Sequence, residues 1–286
     1  MTVTVDRTAD TRAGVEFLEL EVTHRCQLAC THCLTSSSPQ APHGSMTLAD
    51  WESVIAQAAQ LGVLKVQLIG GEPLTSPFLI PLLGFSVSLG LTVEIFSNLY
   101  KVTRPLWDAF TSPRVSLATS YYSDLAHEHD QVTRVAGSHT RTRANILEAL
   151  RRDIPIRAGI VEVFDGQRVE QARAELEELG VDKITVDRMR RVGRAATAPG
   201  TPDVSELCGR CGLGRAAVLA DGTFTPCVLG RFLRTGSVKT TALATLLSGP
   251  AWHEVMQAIP RQASSCSPDG ADCPPASTPA CVPSYQ

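Results

Sequence analysis

The sequence predicts an α/β fold, a parallel sheet of six strand–helix units followed by a small C-terminal cysteine-rich region. Three observations predict it. Apolar residues with period two and period 3.6 take turns from residue 16 to about residue 195. An Asp-Gly pair between two apolar runs marks a hairpin at Asp221 and Gly222. The nine cysteines fall into two groups, one near the start and one near the end.

Residues 16–23 alternate Phe17, Leu18, Leu20 and Val22 among acids, as a short strand does. Thr47 then caps a helix whose apolar stripe is Trp51, Val54, Ile55, Ala58 and Leu61, and Gly62 closes it. Residues 65–69 form the second strand. The apolar stretch 78–90 contains Pro81, Gly84 and Gly90 and is far shorter than a bilayer crossing, so it reads as a buried element. Strands follow at 92–97, 115–119, 156–164 and 183–186, and helices at 104–110, 139–152 and 168–179. After about residue 195 the pattern dissolves, then re-forms as a hairpin, 216–219 and 223–228, and a helical segment, 241–259. The proline-rich tail cannot build a packed core unaided. Strand–helix alternation places functional residues at the carboxyl ends of the strands. Periodicity leaves two architectures open, a partial barrel and an open doubly wound sheet.

Composition narrows the function. With 43% apolar and 19% charged residues the chain is that of a globular protein. A net charge of −3 offers no basic face for a phosphate backbone, so nucleic acid is not an expected partner, and neither is a membrane. The first fifteen residues lack a basic start followed by an apolar run, which predicts no secretory signal and a cytoplasmic location. Cytosolic thiols stay reduced, so nine cysteines point to metal.

Cys26, Cys30 and Cys33, spaced C-x3-C-x2-C, follow the first strand directly. Three thiolates on a four-iron cubane leave one iron open for a small molecule. A zinc site completed by His24, His32 or His43, or a set of reduced structural thiols, is the plainer alternative. Gly70, Gly71, Glu72 and Pro73 follow the second strand; the glycines permit close backbone approach to a ligand and the proline ends the strand. By itself that run is also an ordinary strand-ending turn.

Together the two motifs resemble the radical S-adenosylmethionine (SAM) superfamily over roughly residues 16–195, with about fifteen residues ahead as an N-terminal extension. The resemblance implies a partial (β/α)6 TIM-like barrel, a SAM-binding [4Fe-4S] cluster on Cys26, Cys30 and Cys33, and SAM as cofactor. It implies that Gly70, Gly71 and Glu72, followed by Pro73, receive the SAM amino group, and that His32 packs near the adenine. Ser97, Asn98 and Ser120 fall where the family contacts the ribose and carboxylate. Arg188, with Arg190, Arg191 and Arg194, offers planar forks for a carboxylate of SAM or substrate; a solvated basic loop is the alternative.

Residues 196–286 resemble in part the SPASM or twitch extension of that superfamily. Cys211, Gly222 and Cys227 fit its opening spacing, Cys208 adds a C-x2-C, and Cys266, Cys273 and Cys281 follow at wider intervals than the family's compact run. The resemblance implies one or two auxiliary iron–sulfur clusters; a zinc ribbon using Cys208 and Cys211 is the alternative.

The implied chemistry is reductive cleavage of SAM to a 5′-deoxyadenosyl radical and oxidative modification of a substrate, with an external electron donor such as flavodoxin or ferredoxin. The first expectation is cross-linking or other oxidation of a ribosomally made peptide. Dehydrogenation of a small molecule such as an aminocyclitol, and a non-catalytic zinc-binding protein, are the other two. The short stretch before the first strand is expected to hold no leader-peptide-binding domain, which weakens the peptide expectation without removing it, because a separate recognition protein could supply that function. Asp124, Glu128, Asp130 and Glu162 lie near strand ends without marking a general acid or base.

Overall fold

The computed structural model describes residues 14–196 and 200–260. In chain order these form β1 (Val15–Glu21), α1 (Leu48–Gln60), β2 (Lys65–Ile69), α2 (Leu79–Ser88), β3 (Thr92–Phe96), α3 (Arg104–Ala109) and β4 (Val115–Tyr121). They continue with α4 (Ala126–Thr133), α5 (Ser138–Arg151), β5 (Ile156–Glu162), α6 (Val169–Leu179) and β6 (Lys183–Arg188). The remainder is β7 (Gly214–Val218), β8 (Thr223–Thr225), β9 (Gly236–Ser237), α7 (Leu243–Ser248) and α8 (Pro250–Ala258).

The strand order β6-β5-β4-β3-β2-β1-β7-β8-β9 decides between the two architectures. From β1 to β6 each new strand pairs in parallel with the one before it, always on the same side. A doubly wound sheet reverses direction at a switch point; a barrel does not. Phe17, Gln67, Phe96, Ser120, Gly159 and Thr185, from all six strands, line one cavity, so the sheet curls around its interior. It stays open: β6 ends the row, giving a partial (β/α)6 barrel.

Local chemistry explains the elements. Thr47 accepts from the Asp50 amide at 3.2 Å while the Asp50 carboxylate accepts from the Thr47 amide at 2.8 Å, a reciprocal cap that starts α1. Trp51, Val54, Ile55 and Ala58 then turn inward against Leu18, Leu20, Val66 and Leu68, all fully buried or nearly so. Each large apolar side chain removed from water in this way contributes about 1.5–3 kcal/mol.

Two readings of the sequence need correction. The segment 241–259 is two helices, because Gly249 is extended (φ −77°, ψ 156°) and Pro250, which has no amide hydrogen to donate, begins α8. Ser120 lies inside β4 rather than after it. The hairpin is present, and its first strand does more than pair with β8: β7 adds to β1 in parallel, continuing the barrel sheet. Among the described residues no helix is long and apolar enough to cross a membrane.

Candidate functional site

The cysteine loop leaves β1 at its carboxyl end and is held at several points. The Cys26 amide donates to Ser38 O (3.1 Å), and the Ala29 and Thr31 amides donate to Thr133 O (3.2 Å) and Val132 O (2.9 Å) at the end of α4. Cys26, Cys30 and Cys33, none in a disulfide, all line a cavity of about 310 Å³. The Cys26 Sγ accepts from the Leu28 amide at 3.4 Å and from Asn98 Nδ2 at 3.5 Å. Burial pushes the Cys30 thiol up to about 12, with the neighbouring Cys33 adding to the rise, and burial raises Cys26 as well. Three sulfur donors facing one cavity are the donor set an iron–sulfur cluster takes. No three or more His, Cys, Asp or Glu side chains among the described residues gather as a single metal ion requires. In a cubane, by contrast, each thiolate binds a different iron.

Gly70 and Gly71 line the same cavity, but their lack of side chains has a more specific reason than room for a ligand. A Cβ on Gly70 (φ +146°) would lie 2.3 Å from Thr23 O, and one on Gly71 would lie 2.4 Å from Arg25 O. The turn after β2 is pressed against the start of the cysteine loop, with Gly71 N donating to Thr23 O (2.7 Å) and Glu72 N to Arg25 O (2.8 Å). The Glu72 side chain is wholly buried. Its carboxylate accepts from the Leu74 amide (3.0 Å), Ser97 Oγ (2.8 Å) and the Asn98 amide (2.8 Å). Burial raises its pKa to about 7, the three donors opposing that rise. Pro73 begins the 3-10 turn that Glu72 caps. Glu72 thus ties the β2 turn to Asn98, and Asn98 touches Cys26.

Five more expected residues line the cavity: His32, Asn98, Ser120, Arg188 and Arg190. Ser97 is buried behind it on Glu72. The His32 Nδ1 is buried with no hydrogen-bond partner, and its ring meets Tyr122 edge-on at 5.1 Å. Burial, then the charge of Arg194, lowers its pKa to about 4. Arg188 reaches the cavity with its fork engaged, Nη1 donating to Glu206 at 2.8 Å. Arg190 pairs with Asp187 at 2.5 Å. None of Asp124, Glu128, Asp130 and Glu162 lines the cavity. Asp124 holds Arg168, and Asp130 accepts from Gly137, Ser138 and His139 at the start of α5.

Two cavity residues were not singled out as ligand contacts. Tyr122 is 6% exposed and packs between His32 and His129, at 5.1 and 5.2 Å. His129 has a buried, unpartnered Nδ1 and a pKa lowered by burial to about 3. The Tyr121-Tyr122 pair at the end of β4 was the available signal; strand alternation sends one ring outward and the other to the cavity.

In the second cysteine region, Cys211 Sγ and Cys227 Sγ are 2.7 Å apart, and Cys208 hydrogen-bonds Cys211. That bond, with the Arg190 and Arg215 charges, draws the Cys208 thiol below its usual range, and it raises Cys211. Cys211 and Cys227 are buried with Leu207 and Ile259 in a small cluster. Cys266, Cys273 and Cys281 lie outside the described residues.

The Radical SAM superfamily profile matches residues 20–179. A PqqA peptide cyclase from Xanthomonas campestris pv. campestris is 28% identical over 189 residues, 63% of this chain and 50% of that protein. The chain thus spans about half the length of the curated relatives it matches. Streptococcus suis SuiB bound to precursor peptide SuiA superposes with a TM-score of 0.72 at 15% identity, covering 85% of this chain and 66% of SuiB. The protein anSMEcpe with bound AdoMet gives 0.66 at 12% identity, covering 85% and 82%. These two likenesses show the fold. The profile match, spanning more than half the chain and including the cysteine loop and the β2 turn, shows the family: the chain belongs to the radical SAM superfamily.

Proposed function

We propose that this chain cleaves SAM reductively and oxidatively modifies a ribosomally made peptide, as a member of the SPASM or twitch branch. One observation carries the first half: three thiols and the Gly70-Gly71 backbone face one cavity at the carboxyl ends of the barrel strands. Cys26, Cys30 and Cys33 hold a [4Fe-4S] cluster. When bound, that cluster supplies one electron to the SAM sulfonium, releasing methionine and the 5′-deoxyadenosyl radical.

The chain's own residues bind, orient and exclude water. Gly70 and Gly71 present backbone to the SAM amino group, while Glu72, its carboxylate already holding three donors, fixes that turn from behind. His32 and Ser120 line the adenine and ribose side, and Asn98 joins the turn to Cys26. The cysteine-loop sulfurs and Leu28, Leu34, Ile69 and Ile160 give the cavity an apolar wall that shields a radical from solvent. Cys208, Cys211 and Cys227, with Cys266, Cys273 and Cys281, would hold one or two auxiliary clusters, which would supply an electron acceptor for substrate oxidation. An external flavodoxin or ferredoxin would supply the electron.

The peptide half is supported by the PqqA peptide cyclase relative and by the fold of SuiB. The test is anaerobic reconstitution with dithionite and SAM. Wild type yields 5′-deoxyadenosine and about seven to eight irons per chain if two clusters of the usual size form, and Cys30→Ala falls to the buffer blank. A Cys30→Ala protein as active as wild type would remove the reading. With a short candidate peptide, loss of two hydrogens by mass is expected; product with an aminocyclitol alone would transfer the chemistry to a small molecule.

A further inference from the structure

The barrel sheet is open, with β6 at one edge and β9 at the other, yet the chain after β6 reaches across to the cysteine loop. Val192 and Ala195 are buried and fix a short 3-10 turn, Gly193–Ala195, over the loop. Gly193 has φ +64°, and a Cβ there would lie 2.3 Å from Leu34 O and 2.5 Å from Cys33 O, so the two backbones touch. The Arg194 amide donates to Cys33 O at 2.9 Å. Its guanidinium forks: Nη1 donates to Cys30 O, and Nη2 donates to Ser37 O at 2.5 Å. Three carbonyls of one loop are therefore held by one residue more than 150 positions away in sequence.

We propose that Arg194 is a positioning residue for the cluster loop, clamping Cys30 and Cys33 from the open side of the barrel. Arg194 belongs to the arginine-rich run that the sequence offers as a carboxylate binder. Both ends of its fork are on backbone carbonyls instead, which leaves the carboxylate role to other groups. An arginine fork spans two carbonyls at once, and a lysine ammonium on its single stem does not. The guanidinium also puts a fixed positive charge beside Cys30, which favours the more negative, reduced form of a cluster held there. The inference rests on the cluster reading of Cys26, Cys30 and Cys33 for its redox part; the clamp itself is a property of the chain.

The experiment compares wild type, Arg194→Lys and Arg194→Gln, prepared without oxygen. Hydrogen exchange of segment 26–38 is expected to rise about tenfold in both variants, since each loses the two-carbonyl fork, while α1 and β4 keep wild-type protection. The midpoint potential of the SAM-responsive EPR signal is expected to fall in Arg194→Gln and to recover in Arg194→Lys, which restores charge but not the fork. Unchanged exchange in both variants overturns the clamp. Faster exchange with wild-type potential and wild-type SAM KM in Arg194→Gln makes the residue a structural brace and overturns the positioning role. Loss of the whole fold in Arg194→Lys overturns it too, because a clamp on one loop does not carry a domain. Wild-type protein with no SAM-responsive EPR signal overturns the cluster reading and the redox part of this role, while the exchange comparison still decides the clamp.

Discussion

The two cysteine regions are built in opposite ways. The loop carrying Cys26, Cys30 and Cys33 is positioned by backbone from elsewhere: the end of α4 through Val132 and Thr133, the β2 turn through Gly71 and Glu72, and the segment after β6 through Arg194. Its thiols do little of the holding. In the second region the thiols touch one another, Cys211 on Cys227 and Cys208 on Cys211, inside a cluster whose other buried members are Leu207 and Ile259. Anchors from β1 exist, with β7 pairing to it between Cys211 and Cys227, Glu19 accepting from the Val228 amide at 3.0 Å and Glu21 from Arg231 at 3.0 Å, but they grip the neighbours of the cysteines rather than the cysteines themselves. A ligand thus meets a preformed site in the first region, and in the second it would complete the structure it binds.

The largest effect is expected where the first region is wired. Glu72→Ala leaves the Leu74 amide, Ser97 Oγ and the Asn98 amide without their acceptor. Each unmatched buried donor costs about 1–3 kcal/mol, partly offset by no longer burying a carboxyl group, so a loss of roughly 3 kcal/mol or more is expected. Denaturant unfolding measures it. SAM cleavage should fall along with stability, because Asn98 then loses its hold beside Cys26. A Glu72→Ala protein as stable as wild type would mean that the loop does not depend on its wiring.

Metal removal sharpens the contrast from the other side. If a bound cluster adds about 2.7 kcal/mol to the closed form of the second region, stripping iron with a chelator speeds hydrogen exchange there about a hundredfold. Segment 204–233 is expected to show that change. Segment 26–38 is expected to change by less than about tenfold, since its hydrogen bonds survive without iron. Equal changes in the two segments would erase the distinction.

How much of this was legible depends on how local each cause is. The Thr47 cap and the hairpin turn at Asp221 and Gly222 are decided within a few residues, so spacing alone finds them. The break at Gly249 and Pro250 was local too, but apolar spacing running through it hid the missing amide donor. The cysteine and glycine motifs, far apart in sequence, come together: all three thiols and both glycines line one cavity. The reason for the glycines was hidden, because it is the backbone of residues 23–25 that crowds them. Nothing near Glu72 in sequence says that Ser97 and Asn98 come to meet its carboxylate. His129 and Tyr122 join His32 only through tertiary packing. Pairing of β7 with β1 joins residues about two hundred positions apart, beyond the reach of any periodicity.

The smallest effect is expected beneath the site, at Glu94 on β3. Burial alone would raise its pKa, but the Arg157 fork (2.8 and 3.0 Å), then Lys65 and Gln67, bring it down to about 2 from an ordinary 4.5. A folded-state pKa below the unfolded value means stability that is present in full above about pH 4.5 and is lost as pH falls toward 2. Between pH 4.5 and 3.5 the loss is about 1 kcal/mol. It is measured on iron-free protein as the wild-type curve minus that of Glu94→Gln, which has no carboxyl group to titrate. Since Arg157 lies on β5 and Gln67 on β2, acid should loosen β3, β5 and β2, the last of which carries the glycine turn, before it touches the second region. Hydrogen exchange that rises first in 204–233 over that range would show that the barrel strands are not the weaker partner in acid.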